Sequence, residues 1–553
     1  MATDNKYDRQ LRLWGKEGQM RLASTNLLML GAGPTATETL KNLVLPGLGS
    51  FTVVDNKMVG MDDCGNNFFV SVGSVGKPRA EVVKDLLVEM NPDDCTGAAR
   101  VADPAHLIAS EPAFFESFDI VVAAQMDPES LSLLAALCWE LRTPLVAERS
   151  YGYLGTLRLQ LRDHEIIESK PDPVNNMNFD LRLARPFPAL AELADSYGDL
   201  ATMSDKDHAH TPYAILLLHC NNIWRAAHDG DLPKSFAEKT AYKALLKSME
   251  RLEKASDEHG AGGRAPEENF KEALAFNFMA YREDHLQEEL QEILARARET
   301  LLTTQSSDFE FLGAALAGFM DSEEGGGQPP LTGTIPDMEA DNPKFIALQQ
   351  VYETKAAEDV AAVHARVMAL LELHGRPASG PQSIPLELTQ LFCKNARVLK
   401  VVTTRSLSQE LAKPLLDPDA PWDMEDGLQQ QAPMLWYVAL RGADRFRASK
   451  GRYPGALDGP AAADDASLVV DADEVWAEMQ ALCAEQSVEM PHLSDAYAKE
   501  VVRFGAVELH NIAAIIGGVA AQEIVKVATR QFTPTNNTFI YNGIAGCAKA
   551  YAF

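Results

Sequence analysis

The sequence predicts an α/β protein, in which a mostly parallel sheet covered by helices is interrupted by a large, mainly helical domain. Three observations support this. Strands and helices alternate through about the first 165 residues, a pattern typical of parallel sheets. Apolar residues then recur at helical spacing between residues 211 and 303. Near Val501 the α/β pattern returns, with an apolar helix over residues 512–529 and a strand over residues 537–542.

The order of these patterns predicts one α/β domain made from the two ends of the chain. A length of 553 residues is too great for a single core. We expect the first part of the domain over residues 1–165, the helical insertion over 166–485 and the closing part over 486–553. Gly517 and Gly518 lie within the apolar helix and cost about 1 kcal/mol each relative to Ala, which predicts close packing of that helix.

Composition limits the classes of partner. The formal net charge of −29 argues against nucleic acid or an anionic membrane as the main partner, because both need a basic face. Seven cysteines lie far apart without a CxxC pair, which predicts reduced thiols in the cytoplasm or nucleus and no zinc knuckle. The charged N-terminus does not resemble a signal peptide. Apolar runs such as residues 512–521 are too short to span a bilayer.

Residues 26–55 have the pattern of a nucleotide-binding unit. A buried strand leads into a Gly31-Ala32-Gly33 turn, a helix follows over residues 36–45, and a second strand ends at Asp55. In Rossmann-like domains such a turn lies against phosphates, and the acidic residue after the second strand binds a ribose hydroxyl. Gly31, Gly33 and Asp55 are therefore the candidate nucleotide-binding residues.

The same unit carries features that oppose nucleotide binding. Pro34 removes one of the N–H groups that would face a phosphate at the start of the helix. The loop over residues 55–69 has one Lys and no Arg beside three carboxylates. A triphosphate would therefore meet net negative charge.

Six sequence blocks occur in one order along the chain: KYDRQLRLWG (6–15), the unit over 26–55, NNFF (66–69), SVGKPRAE (74–81), RYPG (452–455) and HNIAAIIGGVAAQEIVKVATRQF (510–532). Together they resemble the ubiquitin-activating enzyme superfamily. Within it, the chain is similar to the regulatory, non-catalytic subunits of the neddylation-activating enzyme, of the amyloid-precursor-protein-binding and auxin-resistance type. The resemblance runs nearly end to end. It implies a ThiF-type pseudo-adenylation domain whose helical insertion is equivalent to the catalytic-cysteine domain of active members.

The resemblance also implies that this nucleotide pocket is vestigial. Active members have a second acidic residue two positions after the ribose-binding Asp, then an Arg and a Lys that neutralise the triphosphate. Lys57, Asn66 and Arg79 occupy those positions here, and Asp127 lies out of register with the expected Mg²⁺-binding Asp. We therefore expect no cofactor bound by this chain, with ATP and Mg²⁺ held by the partner subunit.

Arg9 is the candidate for a chemical role. In the family the arginine of the Y-D-R-Q motif reaches across the subunit interface, so Arg9 is expected to act in trans on ATP bound by the partner. The residues alone leave open a surface arginine paired with Asp8 or Glu17. Cys220 and Cys393 lie in apolar segments, where burial raises a thiol pKa, so no catalytic cysteine is assigned.

Two segments of the insertion are candidate partner-binding residues by the same resemblance. They are His210, Thr211, Pro212, Tyr213, Gly333, Thr334, Ile335, Pro336, Asp337 and Met338. From the residues alone, Thr211-Pro212 indicates the start of a helix and residues 331–344 an inter-helix loop. The two histidines of residues 205–212 have a spacing that does not favour a metal site.

The resemblance implies a heterodimer with a catalytic subunit. That enzyme would adenylate the ubiquitin-like modifier of neddylation, form a thioester and pass the modifier to a conjugating enzyme for cullins, in the cytoplasm and nucleus. Two alternatives stay open. A self-sufficient adenylating enzyme would need the groups that Lys57 and Asn66 replace. An NAD-dependent oxidoreductase would use the glycine turn but lacks a clear proton donor.

Overall fold

The computed structural model describes residues 6–170, 179–254, 264–282, 285–380, 382–425, 427–456 and 465–553. The chain forms two compact units. Unit 1 joins Met1–Ser169 with Val401–Phe553, and unit 2 consists of Lys170–Lys400. Unit 1 is the predicted α/β domain and unit 2 is mainly helical, which confirms the predicted fold class.

The first segment of unit 1 alternates helices and strands. Its helices are α1 (Asp8–Ser24), α2 (Pro34–Val44), α3 (Asp63–Asn66), α4 (Arg79–Glu89), α5 (Pro104–Ser110) and α6 (Pro128–Leu141). Its strands are β1 (Asn26–Leu30), β2 (Ser50–Val54), β3 (Thr96–Arg100), β4 (Ile120–Ala124), β5 (Leu145–Tyr151), β6 (Leu154–Gln160) and β7 (His164–Ile166).

Unit 2 is built mainly from helices, several of which share an apolar core that includes Tyr213, Phe270 and Tyr352. Its helices are α7 (Pro188–Ser196), α8 (Asp205–Ala209), α9 (Tyr213–Ala227), α10 (Phe236–Ser248), α11 (Glu268–Ala275), α12 (Glu288–Glu299), α13 (Asp308–Met320), α14 (Asn342–Leu373) and α15 (Leu386–Lys394). The short strands β8 (Leu252–Lys254) and β9 (Arg264–Pro266) pair antiparallel, and β10 (Lys400–Val402) lies at the unit boundary.

The last segment returns to unit 1. It contains α16 (Leu407–Ala412), α17 (Pro433–Lys450), α18 (Asp465–Glu485), α19 (Asp495–Phe504), α20 (His510–Thr529), β11 (Thr538–Asn542) and β12 (Cys547–Tyr551). The insertion therefore ends at Lys400 and not at residue 485, as the sequence suggested. The reason is packing: α17 contacts β11 and β12, and the Tyr437 ring stacks on Phe553 with centroids 3.8 Å apart.

Within the described residues, the main sheet has eight strands in the order β12-β11-β6-β5-β4-β1-β2-β3. The strands from β3 to β5 run parallel, while β6, β11 and β12 extend the sheet antiparallel. The chain leaves β1 in one direction to β2 and returns on its other side at β4. Such a switch point leaves a crevice at the carboxyl ends of the strands, where α/β proteins bind ligands.

Helix α20 packs against α2 and also contacts β5 and β6 of the main sheet. A Cβ atom at Gly517 would lie 2.7 Å from the Glu38 Cβ and 2.8 Å from the Thr39 backbone nitrogen. This contact confirms the predicted close packing of the glycine-containing helix. By length and composition alone, α20 could cross a membrane. The helix is longer than the apolar run of residues 512–521, so the expectation that this segment is too short to span a bilayer is wrong. Half or more of its apolar window is buried inside the protein.

The two glycines of α20 offer a matched test. We expect Gly517→Ala to destabilise the protein by about 1–3 kcal/mol, because the new methyl group must displace the α2 backbone. Gly518→Ala should stabilise it by up to about 1 kcal/mol, because its Cβ would meet nothing within 4 Å. Urea unfolding of both variants measures the difference. Equal effects from the two substitutions would contradict this helix contact.

Candidate functional site

The sequence-predicted nucleotide residues do meet at the carboxyl ends of β1 and β2. Gly31 has φ +105°, and a Cβ atom there would lie 3.0 Å from the carbonyl oxygen of Ala124. Only glycine adopts this conformation at no steric cost. Gly33 precedes α2, and Pro34 occupies its first turn, as predicted. Asp55 follows β2 directly. The strand, turn and helix of a nucleotide-binding unit are therefore present.

The Asp55 carboxylate accepts three hydrogen bonds from its own chain. Its Oδ2 accepts a hydrogen bond from the Ala32 N–H at 2.8 Å, and its Oδ1 accepts one from the Lys57 N–H at 2.6 Å. The Arg79 Nη2 lies 2.7 Å from Oδ2. Asp55 is only 4% exposed. A ribose hydroxyl would therefore meet a carboxylate that is almost fully buried and already accepts three hydrogen bonds from its own chain.

Arg79 is held between two carboxylates. Besides Asp55, its Nη1 lies 2.8 Å from the Oδ1 of Asp63, and the side chain is 11% exposed. Burial alone would lower the pKa of Arg79, but the neighbouring charges of Asp55 and Asp63 hold the pKa above its usual value. The cation expected to neutralise a triphosphate is already neutralised internally.

A carboxylate that the sequence did not predict lies at the start of α2. The Oε2 of Glu508 accepts hydrogen bonds from the Thr35 N–H at 3.2 Å and from the Thr35 hydroxyl at 2.7 Å. A Cβ atom at Gly33 would lie 2.7 Å from the Oε1 of Glu508. No local motif could reveal this contact, because 473 positions separate the partners. Only its place just before the 510–532 block could have drawn attention to it.

A further carboxyl group, that of Glu148, is buried close enough to Glu508 to be affected by its charge. Glu148 on β5 is 2% exposed, and its Oε2 accepts a hydrogen bond from the Thr39 hydroxyl at 2.6 Å. Its Oε1 has no hydrogen-bond partner within the described residues. Burial raises the pKa of Glu148 to about 8, and the nearby charge of Glu508 acts in the same direction. Glu148 is therefore mostly protonated at neutral pH.

The positions expected to have lost their catalytic groups have other contacts. The Lys57 side chain is exposed. The Asn66 Nδ2 donates to the carbonyl oxygen of Glu508 at 3.2 Å. Asp127 accepts a hydrogen bond from the Ser130 N–H at 3.0 Å and so forms the N-terminal cap of α6. Its role in the described structure is to start a helix.

Arg9 lies on α1 with its side chain exposed. The two carboxylates considered as its surface partners are paired elsewhere: Asp8 with Arg12 at 2.9 Å, and Glu17 with Arg21 at 3.1 Å. Across the described ranges, Arg9 forms no ion pair. Its guanidinium is therefore available to another molecule.

The two candidate interface segments are neighbours in unit 2, since the Asp341 N–H donates to the carbonyl oxygen of His210 at 3.3 Å. Their exposure differs by residue. His210, Gly333, Ile335 and Pro336 are partly exposed, and Thr334 and Asp337 are exposed. Thr211, Pro212, Tyr213 and Met338 are buried. These four side chains belong to the core, so the prediction that they contact a partner is corrected here. The helix also begins one residue later than predicted, at Tyr213, with Pro212 as its cap.

The thiols do not have the environment of a nucleophile. Burial raises the pKa of Cys220 to about 11 and the pKa of Cys393 to about 12, so neither forms a thiolate near neutral pH. In the part of the chain that the structure describes, no group of three or more His, Cys, Asp or Glu side chains could hold a metal ion. His208 instead pairs with Glu267 at 2.8 Å.

The Asp55–Arg79–Asp63 cluster predicts a large stability effect. We expect Arg79→Met to destabilise the protein by about 3–5 kcal/mol, because it leaves two buried carboxylates without their counter-ion. Arg503→Met is the control, since the Arg503 side chain is 62% exposed where it pairs with Glu500, and should change stability by less than about 0.5 kcal/mol. Chemical denaturation compares them. Wild-type stability of Arg79→Met would contradict the cluster.

Glu148 predicts a pH effect of defined sign. Its pKa rises from 4.5 to about 8 on folding, so the unfolded chain loses this proton first and stability falls as pH rises through that window. Glu148→Gln cannot ionise, so its stability relative to the wild type should grow over the window, by roughly 1–3 kcal/mol at the upper end. Urea unfolding at a series of pH values from about 5 to about 8 measures how this stability difference changes.

Glu485→Gln is the matched control for this measurement. A hydrogen bond from Arg445 lowers the pKa of Glu485, so its Gln variant should show no gain in stability as pH rises. A constant difference between Glu148→Gln and the wild type would show that Glu148 is ionised throughout the window.

Comparison with known proteins places this geometry in a family. A model of the ThiF family matches residues 7–547. The NEDD8-activating enzyme E1 regulatory subunit of Xenopus laevis is 40% identical, covering 98% of this chain and 97% of that protein. The subunit of the same name from Danio rerio is 39% identical, covering 100% and 98%. The NEDD8-activating enzyme E1 regulatory subunit AXR1 of Arabidopsis thaliana is 36% identical, covering 98% and 94%.

These matches span nearly the whole length of both chains and confirm the resemblance that the six sequence blocks predicted. The chain belongs to the ThiF family and, within it, to the NEDD8-activating enzyme E1 regulatory subunits.

Proposed function

We propose that this chain is the regulatory subunit of a heterodimer that activates NEDD8, and that a catalytic subunit supplies ATP, Mg²⁺ and the thioester cysteine. This proposal rests on the hydrogen bonds that the Asp55 carboxylate accepts from its own chain. In a pocket that bound nucleotide, this group would face a ribose. Here it bonds to Ala32, Lys57 and Arg79 of its own chain.

The charge balance of the pocket supports the same division of labour. Arg79 is neutralised by Asp55 and Asp63, and the position of the phosphate-facing Arg holds the neutral Asn66. Loss of one preorganised cation costs roughly 10²–10³ in rate for reactions of this type. Several such losses together make adenylation by this chain alone too slow to matter. The chain then contributes binding surface and positioning.

Arg9 is the group we propose for direct action on the partner's ATP. It is exposed near the start of α1, and its two local carboxylates are paired with Arg12 and Arg21. A guanidinium suits phosphate because its planar donors bridge two oxygens and it never loses its proton. Supplied in trans, it would stabilise the charge that develops as the modifier's carboxylate attacks ATP.

An exposed apolar surface supports the pairing with a catalytic subunit. Five side chains of the loop that follows Asp55 are 41% to 80% exposed: Met58, Met61, Phe68, Val72 and Val75. Several exposed apolar side chains in one segment are consistent with a protein–protein contact. We propose that the catalytic subunit contacts these side chains of unit 1. Within unit 2, His210, Thr334 and Asp337 are separate candidates for contact with a partner.

The remaining steps follow from membership of this pathway. The heterodimer would pass NEDD8 as a thioester to a conjugating enzyme, which serves cullins. All seven cysteines are free, which supports a reducing compartment, the cytoplasm and nucleus.

The contacts of Asp55 within its own chain disfavour both a self-sufficient adenylating enzyme and an NAD-dependent oxidoreductase. Each would need Asp55 available for a ribose.

Arg9 provides the test. We expect Arg9→Ala to leave heterodimer assembly intact, because the side chain makes no ion pair across the described ranges of its own chain. It should slow NEDD8-dependent ATP–pyrophosphate exchange roughly tenfold or more, since a charged group is lost from the transition state. Arg12→Ala is the control on the same helix, with a side chain 78% exposed that pairs with Asp8. Exchange at the wild-type rate in Arg9→Ala would refute the proposed role.

A further inference from the structure

The carboxylate of Glu508 lies where a nucleotide-binding fold holds a phosphate. The first N–H groups of a helix are unpaired and carry partial positive charge, so they attract anions. At the start of α2 the Thr35 N–H and the Thr35 hydroxyl both donate to the Oε2 of Glu508. The chain has thus placed one of its own carboxyl groups at this terminus. Burial raises the pKa of Glu508, and the hydrogen bonds from Thr35 oppose that rise by favouring the charged form.

The glycine turn shows the same position from the other side. The second glycine of such a turn is small so that a pyrophosphate can approach the backbone. At Gly33 the space that a Cβ atom would enter is taken by Glu508, whose Oε1 lies 2.7 Å from that point. The gap left by the missing side chain is therefore filled by a carboxylate oxygen.

The backbone on both sides holds Glu508 in place. The Asn66 Nδ2 donates to the Glu508 carbonyl oxygen at 3.2 Å, and the Gly152 N–H donates to the Val507 carbonyl oxygen at 2.8 Å. Gly152 and Glu508 also form a parallel bridge at the end of β5. Because these contacts are made by the backbone, we expect the backbone at Glu508 to keep its position when the side chain is shortened.

We propose that Glu508 is an intramolecular anion that occupies the phosphate position at α2 and keeps nucleotide phosphates out. A phosphate entering this space would meet both the bulk and the negative charge of the carboxylate, and like charges in contact cost several kcal/mol. This inference rests on the proposed function for its biological meaning. It names the residue that keeps nucleotide out of the pocket of this subunit. It also implies that the oxyanion site is latent, since the glycine turn and the helix terminus remain.

The test removes the carboxylate and asks whether the site takes an anion. Inorganic pyrophosphate is titrated into the full chain in Mg²⁺-free buffer and followed by calorimetry. We expect Glu508→Ala to bind pyrophosphate roughly tenfold or more tightly than the wild type, because repulsion and bulk are both removed. Glu508→Gln removes the charge but keeps the size, so it should also gain, by less than Glu508→Ala but roughly threefold or more. Glu485→Ala, an exposed carboxylate on α18, is the control and should gain nothing.

A double variant locates the gained site. Gly33 has φ −74°, so Ala is tolerated there once Glu508 is truncated. Glu508→Ala with Gly33→Ala should fold and lose the gained binding, because the new Cβ occupies the approach to the helix. Persistent binding in the double variant would mean that pyrophosphate binds elsewhere and would overturn the assignment.

No gain in either Glu508 variant overturns the proposal, and if Glu508→Ala does not fold, Glu508→Gln decides alone. The measurement uses this chain without a partner. Exchange at the wild-type rate in the Arg9→Ala heterodimer would therefore defeat the proposed role of Arg9 and leave this result standing. Equally, a failure of the pyrophosphate test would leave the proposed role of Arg9 standing.

Discussion

The arrangement of the pocket depends on the Asp55 carboxylate. It ties the Ala32 N–H of the glycine turn to the Lys57 N–H beyond β2 and to the Arg79 guanidinium at the start of α4. In a nucleotide-binding fold the acidic residue at this position binds a ribose hydroxyl. Here its carboxylate connects three segments of the same chain.

The same exchange of partners extends across the carboxyl edge of the sheet. Arg79 is balanced by Asp55 and Asp63, and the start of α2 is balanced by Glu508. Glu148 below it stays mostly protonated, which avoids a second buried charge. Buried charges are tolerated when they are paired, as those of Asp55, Asp63 and Arg79 are here.

Local sequence patterns predicted the parts of the site that are close in the chain. The turn at Gly31 and Gly33 and the position of Asp55 follow from a strand, turn and helix within thirty residues (roughly one βαβ opening). Glu508 escaped prediction because its contact with Thr35 is made by topology. The unit boundary at Lys400 escaped for a related reason: α17 has a helical pattern that does not say which core it joins. Thr211 and Tyr213 were misassigned because a motif match carries no information on burial.

We infer that this chain holds no adenylation site that works on its own. ATP–pyrophosphate exchange with NEDD8, measured for this chain alone, for the catalytic subunit alone and for the two together, distinguishes the possibilities. We expect exchange at full rate only in the mixture. Exchange catalysed by this chain alone would contradict the inference, because Asp55 and Arg79 would then have to leave their internal partners to bind nucleotide.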